Sequence, residues 1–262
     1  MPVLFEKQRN VGIITLSRPE SRNAWGQDYT EELPKIFNEW SKDPEVRCVV
    51  ITGDEQGRAF SAGADMKNPS THTERTPADF INTLDAPRSA VTASPEQFPK
   101  PVIAAVNGYA VGNACILSFS CDLVVASQQA EWRLPQVSLG ILPAFGGSLR
   151  LARIVGKGNA MRAALGFSLE AEEAFRIGLA QWLVAHDSLM DRAIEVAEKV
   201  AQLPPLAVRL VKESLNRGLD AGTLANAALG DVYRASVLER SEDTKETHRA
   251  WREKRSPILL GK

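Results

Sequence analysis

The apolar positions of this chain change period several times, and each change predicts a change of element. Residues 4–8 and 11–16 read as two short strands, the second carrying a β-branched run. Over 25–43 the apolar residues Leu33, Ile36, Phe37 and Trp40 recur at three- and four-residue spacing, which predicts an amphipathic helix. Residues 46–52 are continuously apolar and β-branched, as in a strand buried on both faces. Residues 66–90 are polar and rich in Thr, Asp and Pro, which predicts a loop with short helical pieces. A strand over 101–106, a buried helix over 112–121 and strands over 123–126 and 130–134 follow. Helices are expected over 146–155, 159–165 and 169–177, then a strand over 182–185. From 189 onward the pattern is almost all helical, punctuated by Pro204-Pro205 and Gly218.

Strands alternating with helices predict an α/β core, and the helical end predicts an appended region. A length of 262 residues suits one such core with a smaller appendage. Apolar and charged contents of 44% and 24% are those of a globular chain, so the function classes tied to fibres or disorder drop out. The most apolar segment, 101–119, is interrupted by Asn107, Gly108, Gly112 and Asn113, which favours a buried strand and helix over a membrane span. A net charge of −1 gives no global field for nucleic acid or a membrane surface, though it leaves room for a local basic patch. The three cysteines, Cys48, Cys115 and Cys121, sit in apolar surroundings as small core residues, so no disulfide framework is expected and a cytoplasmic setting fits. The first residues show no basic stretch followed by an apolar one, so no leader is expected.

Two small-residue turns carry the chemistry. Phe60-Ser61-Ala62-Gly63-Ala64-Asp65 follows the 46–52 strand, and Asn107-Gly108-Tyr109-Ala110-Val111-Gly112-Asn113-Ala114-Cys115 follows the 101–106 strand. Strand-to-helix turns of this kind leave backbone N–H groups without intrahelical partners. Two such groups converging from separate turns make an oxyanion hole for a carbonyl that gains negative charge.

Both turns, together with Leu16-Ser17-Arg18-Pro19-Glu20-Ser21-Arg22-Asn23-Ala24, Pro135-Gln136-Val137-Ser138-Leu139-Gly140-Ile141-Leu142-Pro143 and Ala250-Trp251-Arg252-Glu253-Lys254-Arg255, resemble the signature of the crotonase (enoyl-CoA hydratase/isomerase) superfamily over nearly the whole chain. The resemblance implies an α/β spiral of repeated ββα units over 1–190 that holds an acyl-CoA site. It also implies a helical region over 191–262 that covers CoA and builds a homotrimer or a dimer of trimers. The substrate is expected to be an acyl-CoA thioester, with coenzyme A as part of the substrate and no cofactor tightly bound.

Mapped onto this chain, the resemblance makes Ala64 and Asn113 the donors of the oxyanion hole. Relatives commonly carry glycine where Asn113 stands, but the donor is backbone, so a side chain is tolerated there. The two glutamates of the resembling hydratases fall on Ile116 and Gln136, and a third position, which holds Asp or Tyr in some relatives, falls on Ala144. None of the three is titratable. Isoleucine transfers no proton, and glutamine holds a water or a carboxylate without accepting a proton near neutral pH. General acid–base catalysis is typically worth ~10²–10⁴-fold, so ordinary hydration should be poor.

Gln136 is therefore the third candidate in the catalytic centre, with Ile116, Trp132, Ala144 and His72 as candidate pocket residues. His72 and Glu74 lie in the polar loop, where solvated side chains are the simpler reading. Trp132 would sit at the pocket edge or in the core. His186 reads as structural. Cys115 has no base beside it in sequence. CoA would be held by Arg22, Ala24, Ala62 and Asp65 around the first two turns, and by Trp251 and Lys254 near the C-terminus, where a ring beside adenine and a cation beside phosphate are apt. Asp65 also reads as a helix cap.

Three functions follow. The first is an acyl-CoA lyase, isomerase or decarboxylase that forms a thioester enolate without two glutamates. The second is a silent acyl-CoA binder, and the third a ring-ketone hydrolase that does not use CoA.

Overall fold

The computed structural model describes residues 2–67, 76, 78 and 94–262, and His72 and Glu74 lie outside them. Two sheets form the core. The larger is built from β1 (Val3–Gln8), β2 (Val11–Leu16), β3 (Cys48–Gly53), β5 (Val102–Val106), β7 (Leu123–Ser127) and β10 (Trp182–Val184), side by side in that order. β1 and β2 form an antiparallel hairpin, and every later neighbour is parallel. The smaller sheet runs β4 (Ala59–Ser61), β6 (Tyr109–Val111), β8 (Glu131–Arg133) and β9 (Leu169–Glu170). Consecutive strands β3/β4, β5/β6 and β7/β8 each place one member in each sheet, so the chain advances as a spiral of ββα turns.

Sidedness explains the near-continuous apolar runs. All six residues of β3 are buried. Cys48 and Val50 face one way, with Val11, Ile13, Ile103, Ala105 and Val125, while Val49 and Ile51 face the other, toward the main core. The first face is covered by Leu189, Ala193, Val196 and Ala197 of α6 (Leu189–Ala201). The sequence pattern groups this helix with the C-terminal region, yet it forms part of the sheet's covering layer. On the other face lies α1 (Gln27–Lys42), burying Tyr29, Leu33, Ile36, Phe37 and Trp40 along one stripe. Gly12 is fitted to this helix, since a Cβ there would lie 2.4 Å from the Trp40 ring.

The remaining described helices are α2 (Ser94–Gln97), α3 (Asn113–Ser120), α4 (Gly147–Ala164), α5 (Ala171–Arg176), α7 (Pro205–Asp220), α8 (Leu224–Leu238) and α9 (Glu242–Glu253). The two helices expected over 146–165 are the two arms of α4, which break at Gly156 (φ 78°, ψ 158°). The helix expected over 169–177 is corrected at its start. Residues 169 and 170 form β9, with Leu169 paired to Trp132, and the helix begins only at Ala171.

α7 is anchored to the core by Lys212, whose ammonium donates to the carbonyls of Pro95 (2.6 Å) and Lys100 (2.9 Å) and pairs with Asp122 (2.7 Å). α8 packs on α7 through Ser214–Asp231 and Arg234–Glu213. α9 carries the last residues back along itself, with the Asp243 carboxylate accepting from the N–H groups of Leu260 and Gly261. Among the described residues no helix is long and apolar enough to cross a membrane.

Candidate active site

The site grows from the loop after β2. Arg22 and Asn23 both adopt left-handed backbone (φ 55° each), a conformation that Asn tolerates better than most residues. Asn23 is fully buried and its side chain holds the loop shut. Nδ2 donates to the carbonyls of Asp54 (2.9 Å) and Ala59 (2.7 Å), and Oδ1 accepts from the Arg18 N–H (3.1 Å).

This loop then grips the first turn. The Ala62 N–H donates to Arg22 (3.0 Å), the Trp25 N–H to Gly63 (2.7 Å) and the Asp65 N–H to Trp25 (3.0 Å). Gly63 O and the Ala64 N–H belong to one trans peptide and point in opposite directions. Because Gly63 O faces Trp25, the Ala64 N–H is turned away from the protein strand that holds it.

The second turn is brought alongside by pairing of β4 with β6. Gly63 (φ 78°) lies so close to Val111 that a Cβ would sit 2.6 Å from the Val111 carbonyl oxygen. Gly112 (φ 57°, ψ −115°) caps α3, and its N–H is tied to Arg133 O (2.8 Å). Asn113 is the first residue of α3, so its N–H has no carbonyl four residues back. The Gly112 carbonyl takes the first helical bond, from Ile116 (3.1 Å). Ala64 and Asn113 are thus presented on touching turns, as an oxyanion hole requires.

The walls follow from α3 and the turn before α4. Ile116 is buried against Gly147, where a Cβ would meet its Cδ1 at 2.8 Å. Gln136, in the 3-10 helix Pro135–Leu139, is 8% exposed. Its Nε2 stands 3.6 Å from the place a Gly112 Cβ would occupy, and its Oε1 is buried with no hydrogen-bond partner among the described residues. An amide so placed offers a ligand an NH2 donor group and an acceptor oxygen but no proton transfer. Ala144 is exposed on the same segment, and its carbonyl accepts from the Gly147 N–H (3.0 Å).

Two expectations change. Trp132 is not at a pocket edge. Its ring is buried in the core, and its Nε1–H donates to the Ser118 hydroxyl (2.9 Å) because a buried indole needs an acceptor. Asp65 does not offer its carboxylate to a ligand. It is 8% exposed, pairs with Arg18 (3.2 Å) and accepts from the Lys67 N–H (3.1 Å).

Arg22 is exposed, Ala24 is buried and Ala62 is half-buried around the first turn, so three of the expected CoA contacts share one locality. Trp251, 81% exposed, and Lys254 stand at the end of α9 instead, and the hydrogen bonds that anchor that helix run to residues 255–262.

Cys115 is inert as a nucleophile because burial pushes its thiol far up. His186 joins Ser127 (Nδ1, 3.0 Å) to Glu55 (Nε2, 3.1 Å). The Ser127 oxygen accepts from the Gln129 N–H (3.0 Å) and is fully buried, so this chain of bonds ties β7 to the turns that carry His186 and Glu55 and exposes no nucleophile. Sequence reasoning missed Arg18, which lies between Asp65, Ala24 and Asp28. Its only sequence signal was its place in the motif before Pro19.

A crotonase-type spiral with two backbone donors on adjacent turns defines the class. Comparison with known proteins narrows it. A family model described as Enoyl-CoA hydratase/isomerase matches residues 6–261. The short-chain-enoyl-CoA hydratase of Clostridium acetobutylicum is 35% identical over 264 residues, covering 97% of this chain and 95% of that protein. The 2,3-dehydroadipyl-CoA hydratase of Escherichia coli is 34% identical over 261 residues, 99% of each chain. The crystal structure of an enoyl-CoA hydratase from Bacillus anthracis superposes with a TM-score of 0.90 at 31% identity, over 100% of both chains. The chain belongs to the enoyl-CoA hydratase/isomerase family and is an enzyme of the crotonase superfamily.

Proposed function

We propose that this protein binds an acyl-CoA thioester, stabilises its enolate with the Ala64 and Asn113 N–H groups, and does so without the paired carboxylates of a standard hydratase. The observation that carries the reading is the pair of side chains beside the hole: Ile116 packed into an apolar wall and Gln136 with an idle amide oxygen. The relatives named above are hydratases of CoA thioesters, which supports the substrate class. The acid–base positions separate this chain from their reaction. An oxyanion donor of this kind contributes ~10²–10³-fold on its own, so the scaffold keeps a catalytic device after losing its acids.

Decarboxylation suits such a site. Cleavage of the C–C bond to a carboxylate releases CO₂ and leaves its electron pair as the enolate, so no base is needed. Gln136 would orient the departing carboxylate through its N–H donors. Coenzyme A enters as part of the substrate, held by Arg22, Ala24 and Ala62.

The test is a panel of acyl-CoA thioesters, with binding followed by calorimetry and each mixture by mass spectrometry. A mass change in a bound thioester is the expected result, with crotonyl-CoA hydrated poorly. Hydration of crotonyl-CoA at ordinary hydratase rates sinks the reading. Ile116→Glu with Gln136→Glu should raise hydration if the pocket is otherwise intact.

A further inference from the structure

Arg18 is 20% exposed at its side chain and lies just outside the first turn. Its guanidinium touches three things: the Ala24 carbonyl through Nη1 (3.2 Å), the buried Asp65 carboxylate through Nη2 (3.2 Å) and Asp28 through Nε (3.7 Å). The first contact leads onward. The Ala24 carbonyl shares a peptide group with the Trp25 N–H, which donates to Gly63 O at 2.7 Å. Gly63 O in turn shares a peptide group with the Ala64 N–H. A continuous line of hydrogen bonds therefore runs from the guanidinium, through two whole peptide groups, to the backbone donor of the hole.

We infer that Arg18 is a positioning residue that orients and polarises the Ala64 N–H through this relay. The inference rests on the oxyanion reading given above. A cation at the head of such a line draws electron density toward Ala24 O, makes the Trp25 N–H more acidic, and passes the effect to the Ala64 N–H. Cooperative strengthening of this type is about 10–30% per bond.

Two features keep the cation in line. Asp65 follows Ala64 directly, so the ion pair fixes the far side of the same turn. Asp65 also donates its own N–H to Trp25 O (3.0 Å), which clamps the turn from both flanking peptides. Gly26 packs under the guanidinium, and a Cβ there would lie 2.3 Å from Nη1.

The relay can be read without turnover. Butyryl-CoA carrying carbon-13 at the thioester carbonyl is saturated and cannot be hydrated, and its carbonyl stretch reports polarisation at the hole by difference infrared spectroscopy. Arg18→Met alone would take the charge partner from a buried carboxylate, so the variant is Arg18→Met with Asp65→Asn, which keeps the side-chain bond to the Lys67 N–H. The expected result is a red shift on binding to the wild type that falls by roughly 10–30% in the double variant, with affinity for CoA itself changed less than about threefold. Arg18→Lys, which keeps the charge, should retain more of the shift than the double variant and serves as the readout if the double variant melts early. An undiminished shift in a folded variant overturns the relay. Binding of butyryl-CoA to the wild type with no shift at all overturns the oxyanion reading and the relay with it. A shift that survives while CoA affinity collapses assigns Arg18 to cofactor binding and overturns the inference.

Discussion

At Gly63 two demands meet: a left-handed backbone, and van der Waals contact with the carbonyl of Val111. An added methyl would meet backbone, which cannot swing aside as a side chain can. Gly63→Ala should therefore cost ~1–3 kcal/mol of stability in chemical denaturation, with a larger loss of thioester affinity because the Ala64 N–H moves with it. A variant as stable as the wild type and unimpaired in binding would show that the turns do not touch as described. The cysteines make a second expectation at this scale. Burial pushes the Cys48 thiol up to about 12, and those of Cys115 and Cys121 upward as well. At pH 8 a disulfide reagent should find essentially no thiolate in the native protein, and three thiols once it is unfolded in guanidinium. Both glycine turns and the buried Cys48 and Cys115 were legible in the sequence, because small residues and apolar neighbours are local signals. Arg18 and the inward turn of Asp65 were not, because their meaning lies in contacts between residues 47 positions apart.

Among elements, the long strands and α1 follow the apolar pattern closely. β4, β6 and β9 do not: each has only two or three residues and lies inside a stretch that the sequence reads as turn or helix. They nevertheless build the site, because β4–β6 pairing is what sets the two turns side by side. The hold of α7 on the core depends on one cation. Lys212 spans two carbonyls and Asp122, whose carboxyl is held above its ordinary value by burial although Lys212 pulls it down. Lys212→Met should destabilise by ~3–5 kcal/mol, as removal of one partner from a buried pair does, and Asp122→Asn in the same chain should return part of that loss. Urea unfolding of the three proteins separates the pair's contribution from that of the carbonyls. The α9 segment gives a pH dependence. Arg255 and the Ile258 N–H hold Glu246 down to about 2. A depressed carboxyl stabilises the fold fully above its unfolded value and loses that contribution as pH falls through the folded one. Residues 255–262 should therefore stay docked at pH 5 and loosen as pH approaches 2, seen as faster amide exchange at Ile258, while unchanged exchange down to pH 2 would count against the ion pair as the clasp.

For the whole molecule, what the fold leaves uncovered matters as much as what it buries. α8 buries none of its apolar residues within the chain, and Leu229, Val232, Tyr233 and Val237 form one exposed stripe at helical spacing. Val211 and Leu215 of α7 are likewise exposed. We propose that this exposed apolar stripe is an interface rather than a solvent face. The sequence pattern alone predicts a helix here but cannot say that its apolar stripe lacks an intramolecular partner, so the expected assembly comes from the resemblance and its proposed surface from the exposed stripe. The expectation is a homotrimer or a dimer of trimers, with sedimentation velocity at micromolar concentration giving three or six times the 28.6 kDa subunit mass. Val232→Glu with Tyr233→Glu places two carboxylates on the stripe and should shift that distribution toward smaller species while far-UV circular dichroism stays unchanged. A wild-type chain that sediments as a monomer would remove the interface.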